Sequence, residues 1–279
     1  MKPRGAPSPA RLHGALIAAL VCSLLCRGAA ADDACADLAP WNRLSRTANN
    51  FGQARPLILA GTAPLVTGAM VPTGVDHRLR VYGQTSLGGH YDLEPVSLAA
   101  PYVIAGALLI GYGISWMTLD CQWQRPQAAV LQAMGLSAAG VALLKWTTGR
   151  QFPNAGRDPR AADRLGHPEF ATDFKPFRRF GAWPSGHTAT MFAAAAALRV
   201  SELDWGWPAW LGYPFAAGVG FGMWLSDRHW ASDIAAGALL GEAIGSSVGE
   251  AFRNTSPALG QVSILLPGDG VALVWVGMW

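Results

Sequence analysis

Long apolar stretches rich in alanine, glycine and leucine dominate the chain, and they limit its possible folds more than any other feature. Alanine and leucine favour helices over strands in such stretches. Proline stands at or near the start of four of them, where a helix tolerates it. The sequence therefore predicts an all-α fold with six main helices, over residues 56–75, 101–119, 126–146, 185–200, 208–225 and 232–252.

The first 31 residues have the pattern of a signal peptide. Lys2, Arg4 and Arg11 form a basic start, an apolar run follows over 14–25, and small residues end the segment at Ala31. We expect this segment to be cleaved on export to the bacterial cell envelope. The alternative is an uncleaved anchor helix.

Export changes the net charge of the chain. The whole sequence carries a net charge of +3, but residues 1–31 hold four of its 21 Lys and Arg and none of its 18 Asp and Glu. The rest of the chain therefore has a net charge of −1. This balance gives no reason to expect a nucleic-acid partner.

The remaining residues divide into a domain and a short tail. Residues 32–260 contain no evident linker or internal repeat and are predicted to form one helical domain. The tail over 261–279 changes character, because two apolar segments flank the turn sequence Pro267-Gly268-Asp269-Gly270. This pattern predicts a C-terminal β-hairpin.

Whether the helices span a membrane is not decided by the sequence. The stretch over 101–119 is long and apolar enough, whereas the stretch over 185–200 is short and is followed by acidic residues. If the first three stretches crossed, Lys145 would lie on the opposite side from Cys35 and Cys121. Those two cysteines can form a disulfide in an oxidising compartment, although two free thiols are the alternative. We therefore favour a periplasmic bundle, soluble or attached to a membrane surface, over a multi-pass protein.

The tetrapeptide Pro184-Ser185-Gly186-His187 stands at the predicted start of a helix. Free backbone N–H groups and the helix dipole favour an anion at such a position. Gly186 allows a phosphate to approach the backbone closely, and the Ser185 hydroxyl can cap the helix or donate to a phosphate oxygen. His187 would lie in the first turn and face that anion. A capped helix with an incidental histidine is the alternative.

His229 and Asp233 lie four residues apart and are predicted to share one face of a helical turn. A carboxylate beside an imidazole fixes its tautomer and leaves the other ring nitrogen available as a nucleophile or base. Lys145 closes the third predicted helix and could supply a positive charge to a phosphate. A structural His–Asp pair and a lysine that complements the helix dipole are the alternatives.

Together these three groups resemble the type 2 phosphatidic acid phosphatase superfamily, which includes lipid phosphatases, bacterial acid phosphatases and vanadium haloperoxidases. The superfamily pattern is Lys, six residues, Arg-Pro; then Pro-Ser-Gly-His; then Ser-Arg, five residues, His, three residues, Asp. The resemblance covers roughly residues 126–249 and implies the six-helix bundle of this superfamily. It also implies a role for each matched residue: His229 as the nucleophile that becomes a phosphohistidine, Asp233 as its orienting partner, His187 as the general acid, and Lys145, Ser185 and Gly186 as phosphate ligands. No metal or other cofactor is implied.

Two arginines of the superfamily pattern are missing. Phe152 stands at the arginine position of the first block, and Gly222-Met223 replace Ser-Arg in the third. Arg150 and Arg228 are the nearest candidates to replace these phosphate ligands. The added apolar surface favours a lipid-like or aromatic substrate.

The sequence therefore predicts an exported phosphatase that acts on a lipid phosphate or a small phosphate ester, with membrane association left open. The missing arginines keep a second hypothesis in view, an impaired member of the superfamily that binds lipids or anions without turnover. A vanadate-dependent peroxidase and a transporter bundle are weaker alternatives.

Overall fold

The structure is a computed structural model of the chain. It describes residues 35–89, 93–118, 120–155, 163–253, 261–265 and 272–276. The predicted signal peptide over 1–31 lies outside the described residues.

The described part of the chain contains eight α-helices rather than the six predicted. They are α1 (Leu44–Phe51), α2 (Ala54–Met70), α3 (Val75–Thr85), α4 (Glu94–Thr118), α5 (Cys121–Thr148), α6 (Gly186–Ser201), α7 (Gly212–Leu225) and α8 (Ala231–Phe252). Short 3₁₀ turns lie at Ala36–Leu38, Pro168–Ala171, Leu203–Trp205 and Trp207–Trp210. The all-α prediction is confirmed for this domain, and the short helices α1 and α3 are additional.

Local sequence signals mark both ends of α5. The Asp120 carboxylate accepts a hydrogen bond from the Trp123 N–H at the start of α5, and Gly149 ends the helix in the left-handed conformation that glycine adopts most easily. Pro101 and Pro126 lie inside α4 and α5 and not at their starts. The predictions based on these prolines therefore began both helices too late.

Helices α6 and α8 form the centre of the bundle. They pack closely because small residues face each other. A Cβ added to Gly241 would lie 2.3 Å from the Ala189 carbonyl oxygen, and one added to Gly245 would lie 2.3 Å from that of Ala193. A side chain larger than hydrogen at either position would push the two helices apart.

The two ends of the bundle differ in content. Helix α5 runs from Cys121 at one end to Lys145 at the other, a distance of about 36 Å at 1.5 Å per residue. Cys121 forms a disulfide with Cys35, with their Cα atoms 5.3 Å apart. The starts of α6 and α8 also lie at the lysine end. The carbonyl of Gly181, shortly before α6, accepts a hydrogen bond from Lys145. The ring N–H of Trp230, directly before α8, donates to the carbonyl of Gln151, which follows α5. The disulfide and the predicted catalytic residues thus lie at opposite ends.

The tail contains two short strands, β1 (Gln261–Leu265) and β2 (Ala272–Val276). They pair antiparallel, with Gln261 opposite Val276 and Leu265 opposite Ala272. The predicted turn between them lies outside the described residues, so the complete hairpin stays a prediction.

Two helices, α4 and α5, are long and apolar enough to cross a membrane, and the bent pair α2–α3 would be a third if it counts as one span. Helix α4 exposes large apolar side chains along its length, namely Val96, Tyr102, Val103, Leu109, Ile110, Ile114 and Met117. Such a face is more extensive than a water-facing helix usually carries. The domain therefore offers an apolar surface suited to contact with lipid.

Candidate active site

A cavity of about 610 Å³ opens between α4, α5 and α6 at the lysine end of the bundle. Five residues with ionisable side chains line it: Tyr102, Lys145, His187, Arg228 and His229. Gly186 also lines it. The structure thus brings five of the eight sequence-predicted site residues to one cavity, and the other three, Ser185, Asp233 and Arg150, lie behind its wall.

His229 lies in the segment between α7 and α8, directly before α8 begins. Its ring Nδ1 lies 3.4 Å from Oδ2 of Asp233, one helical turn further along. The same Oδ2 accepts the backbone N–H of Trp230 at 3.0 Å, which satisfies a free amide at the start of α8. Because Nδ1 faces Asp233, Nε2 is the ring nitrogen left for a substrate.

Arg150 does not occupy the position that the sequence suggested for it. Its side chain is completely buried, and its guanidinium bonds to Asp233 Oδ1 at 2.6 Å and to Asp76 Oδ2 at 2.7 Å. It also donates to the Ser232 hydroxyl at 2.8 Å. With its donors committed to these groups and no contact with the cavity, Arg150 supports Asp233 and does not offer its charge to a ligand.

The Pro-Ser-Gly-His segment begins α6 as predicted, with Ser185 at the N-cap position. The Ser185 hydroxyl is fully buried and lies 2.9 Å from the Thr188 hydroxyl. Its backbone N–H donates to the carbonyl of Asp233 at 3.0 Å, which links the starts of α6 and α8. Gly186 and His187 are the members of this segment that line the cavity.

Lys145 is buried, and its ammonium group points to the cavity. Its Nζ donates to the carbonyls of Gly181 and Ala182 at 3.0 and 2.9 Å. The same nitrogen lies 5.5 Å from the centre of the Phe152 ring. The lysine is therefore held in place by two neutral carbonyls, and its positive charge stays available to an anion.

Arg228 lines the rim of the cavity next to His229. Its side chain is partly exposed and forms an ion pair with Glu94 at the start of α4. An exposed ion pair of this kind contributes little stability. Arg228 can therefore exchange Glu94 for an anionic ligand at low cost.

Both replacements of the missing arginines face the cavity. Phe152 packs against the imidazole of His229, with their ring centres 5.8 Å apart, and Met223 is only 2% exposed. Gly222 lies where the superfamily has serine, and a Cβ added there would lie 2.1 Å from the Ser97 hydroxyl oxygen on α4. The close packing of α4 on α7 thus requires glycine at position 222.

Burial lowers the pKa of His229 to about 4, and the nearby Lys145 charge acts in the same direction while Asp233 opposes both. Burial also lowers the pKa of His187, with further contributions from Lys145 and Arg228. Burial alone would raise the pKa of the Asp233 carboxyl, but Arg150 and His229 outweigh it and the pKa falls below its ordinary value. At neutral pH the site therefore contains two neutral imidazoles and an ionised carboxylate.

Sequence reasoning missed Asp76, which is completely buried and bonds to both Arg150 and Ser232. It lies on α3, a helix that was not predicted. A signal was present, because Asp76, Arg80 and Gln84 follow one another at intervals of four residues. Polar residues at that spacing share one face of a helix.

Residues 126–254 match the PAP2 superfamily. The matched region is a little under half of the chain. It contains Lys145, Gly186, His187, His229 and Asp233, whereas α1 to α4 precede it.

A curated relative resembles a larger part of the chain. It is a lipid A 1-phosphatase of Porphyromonas gingivalis, 28% identical over 192 residues, which are 67% of this chain and 37% of the relative. The chain thus spans little more than a third of that relative's length. No solved structure matches the chain.

Proposed function

We propose that this chain is a phosphatase that removes phosphate from a phosphorylated lipid in the cell envelope through a phosphohistidine at His229. One observation carries the proposal: His229, His187 and Lys145 face one end of a cavity whose remaining walls are mostly apolar. The match of residues 126–254 to the PAP2 superfamily and the similarity to a lipid A 1-phosphatase support the same reaction class.

The reaction takes two steps. In the first, Nε2 of His229 forms a bond to phosphorus while the bond from phosphorus to the ester oxygen breaks. His187, which is neutral in the free site, takes up a proton when the anionic phosphate binds beside it, and it gives that proton to the departing oxygen. In the second, a water molecule attacks phosphorus and gives a proton to His187. The P–N bond then breaks and releases inorganic phosphate. Asp233 holds Nδ1 of His229 throughout and stabilises the positive charge on its ring.

Lys145 and Arg228 contribute positive charge to the phosphoryl oxygens. Lys145 is fixed and buried, so its charge acts in surroundings of low polarity, where it is worth more than in water. The backbone N–H groups at the start of α6, near Gly186, add hydrogen bonds to the same oxygens. Lys145 is the cation of the superfamily pattern that this chain keeps, and Arg228 stands in for its two missing arginines.

The apolar part of the cavity favours a lipid. Its lining on α5 extends from Lys145 back to Leu131, about 21 Å at 1.5 Å per residue. Ala105, Met134 and Ala138 line the same stretch. When the phosphate of a lipid binds at Lys145, the hydrocarbon chain of that lipid would therefore lie along α4 and α5. These helices also expose apolar side chains on the outside of the bundle.

The proposal is tested by phosphate release from purified protein in detergent, with phosphorylated lipids and soluble phosphate esters as substrates. We expect His229→Ala to lower kcat by about 10⁴-fold or more, as loss of a nucleophile does. Brief reaction with ³²P-labelled substrate should trap an acid-labile phosphohistidine in the unmodified protein and none in His229→Ala. His167→Ala is the matched control, since His167 contacts Glu169 away from the cavity. Unchanged turnover in His229→Ala would remove this mechanism.

A second function is favoured by Phe152 and Met223, which place apolar groups where the superfamily carries phosphate-binding arginines. On this reading the chain binds a phosphorylated lipid without hydrolysing it. It requires that no substrate releases phosphate, that no phosphohistidine is trapped, and that the protein still retains the lipid in detergent.

A further inference from the structure

Helix α3 (Val75–Thr85) lies across the segment that carries His229, although it is outside the region that matches the superfamily. Asp76, Arg80 and Gln84 follow one another at four-residue intervals and are all buried. Residues at this spacing lie on one face of a helix. Each of the three bonds to a different point of the segment 225–233, which is called the nucleophile loop below.

Asp76 holds the end of the nucleophile loop at the start of α8. Its Oδ1 accepts the backbone N–H of Ser232 at 2.9 Å, and its Oδ2 accepts the Ser232 hydroxyl at 2.5 Å. The same Oδ2 bonds to Arg150, which bonds to Asp233. Asp76 is thereby connected through Arg150 to the carboxylate that orients His229.

Arg80 holds the middle of the loop. Its guanidinium forms two parallel hydrogen bonds of 2.7 Å with the carboxylate of Asp227, and both side chains are buried. Asp227 has a φ of +60°, a left-handed conformation that residues with a side chain adopt rarely. Such a conformation persists only where the surroundings hold it. Asp227 lies two residues before His229, so this ion pair fixes the chain path that leads into the nucleophile.

Two further contacts complete the arrangement. The Gln84 side chain donates to the carbonyl of Leu225 at 2.9 Å, at the point where α7 ends. The ring of Trp230, next to His229, lies between two guanidinium groups, 5.6 Å from that of Arg80 and 5.4 Å from that of Arg150. The loop is therefore held at its start, middle and end.

We propose that α3 is a positioning element for catalysis, and that Asp76, Arg80 and Gln84 hold the nucleophile loop in the conformation that points His229 into the cavity. The proposal rests on the proposed phosphatase function for its kinetic consequence. Its structural consequence, the orientation of His229, does not depend on turnover and can be measured in a protein that has none.

The test removes the Arg80–Asp227 pair without leaving a buried unpaired charge, in the double variant Arg80→Met with Asp227→Asn. The matched control is Arg125→Met with Glu202→Gln, at the opposite end of the bundle. Arg125 and Glu202 also form two parallel hydrogen bonds, of 3.0 and 2.9 Å, and Glu202 is buried. Both double variants thus lose an ion pair of the same geometry, and only one of them lies at the nucleophile loop.

We expect the α3 variant to lose about 100-fold in kcat with little change in KM, since a displacement of about 1 Å at a reacting group has that effect. The single variant Arg80→Lys keeps the positive charge beside Asp227, so its kcat should fall less than that of the double variant. The control should keep its kcat at a similar Tm. Equal kcat in the two variants, or equal losses in both, would overturn the proposal.

NMR of protein labelled with ¹⁵N at its histidines provides the second measurement. The α3 variant should change the ring ¹⁵N shifts assigned to His229 by comparison with His229→Ala, and the control should leave them unchanged. If the unmodified protein shows no turnover, the proposed function fails but this comparison still decides the positioning role. If the α3 double variant does not fold, Gln84→Met, which removes one hydrogen bond, replaces it in both measurements. Unaltered His229 signals in the folded variant would refute the proposal.

Discussion

The two walls of the cavity are built in opposite ways. The histidine wall is formed by His187 and His229 with Asp233 behind them. His229 and Asp233 are buried, and Asp233 connects His229 to Arg150 and Asp76. The apolar wall is formed by residues of α4 and α5 from Leu98 to Ala105 and from Leu131 to Ala142, and its lining side chains are apolar apart from the phenol of Tyr102. One wall is fixed by directional hydrogen bonds, and the other by shape and apolar contact.

This difference separates the requirements of chemistry from those of substrate choice. A nucleophile must be held within a fraction of an ångström, which directional bonds achieve. A hydrocarbon chain needs only an apolar groove of sufficient length, so the second wall can vary more freely. Phe152 and Met223 belong with the apolar wall in character although they lie next to His229. They extend apolar surface into the place where phosphate is held.

The strongest challenge to this comparison is His187→Ala, because it removes the second member of the histidine wall. We expect kcat to fall about 10²- to 10⁴-fold for an alkyl phosphate, as loss of a general acid does. The fall should be much smaller for p-nitrophenyl phosphate, whose leaving group departs without a proton. Steady-state rates on the two substrates measure the difference. An equal loss on both would assign His187 to binding and not to proton donation.

Met223→Arg tests whether the apolar character near His229 weakens the hold on phosphate. Met223 faces the cavity, and an arginine there would add charged hydrogen bonds worth roughly 1.5–3 kcal/mol. We therefore expect inorganic phosphate to inhibit at least about tenfold more strongly. Met223→Leu is the control, because it keeps the apolar surface. Inhibition that is unchanged by the arginine would mean that position 223 does not contact the phosphate.

Gly135→Leu fills the apolar wall without changing the histidine wall. Gly135 lines the cavity, and no atom lies within 4 Å of a Cβ placed there, so a leucine enters the groove without a clash at its base. We expect kcat/KM for a long-chain lipid phosphate to fall by about tenfold, the lower end of the effect of one methylene group in a hydrophobic pocket. Activity on a soluble phosphate ester should not change.

Gly140→Leu is the matched control for this variant. It lies on the same helix, has the same open space around its Cβ, and does not line the cavity. Both substitutions raise helix propensity equally. If Gly140→Leu lowers lipid hydrolysis as much as Gly135→Leu, the groove does not hold the substrate chain.

The residues of the histidine wall could be predicted from the sequence because each belongs to a short local motif. His229 and Asp233 are one helical turn apart, and the Pro-Ser-Gly-His segment carries its own helix start. Lys145 was found as the lysine that closes a predicted helix and that stands six residues before Phe152-Pro153, as in the superfamily pattern. The structure adds which members face the cavity, a property that depends on packing between helices far apart in sequence.

The errors have local physical causes. The predicted helix over 56–75 runs through Pro72 and Gly74, where the chain in fact turns by 78° between α2 and α3. Gly74 adopts a φ of +69° there, which a helix interior does not allow. Having missed α3, the sequence could not place Asp76 beside Arg150. For that reason it considered Arg150 as a phosphate ligand, whereas long-range ion pairs commit it to Asp76 and Asp233.

The smallest expected effect concerns pH, and it tests how deeply the histidine wall is buried. The pKa of His229 is lowered to about 4 in the folded chain, while an unfolded chain has the ordinary value near 6.5. Between these values the unfolded state binds the extra proton and the folded state does not, so stability falls as the pH drops from about 6.5 to 4. This one group would account for roughly 3 kcal/mol of the free energy of unfolding across that window.

His229→Asn keeps an N–H near the position of Nδ1 but cannot titrate, and its Tm should therefore fall less steeply over the same pH range. Parallel Tm curves for the two proteins would show that His229 titrates near its ordinary pKa, and hence that the wall is more open to water than its hydrogen bonds indicate.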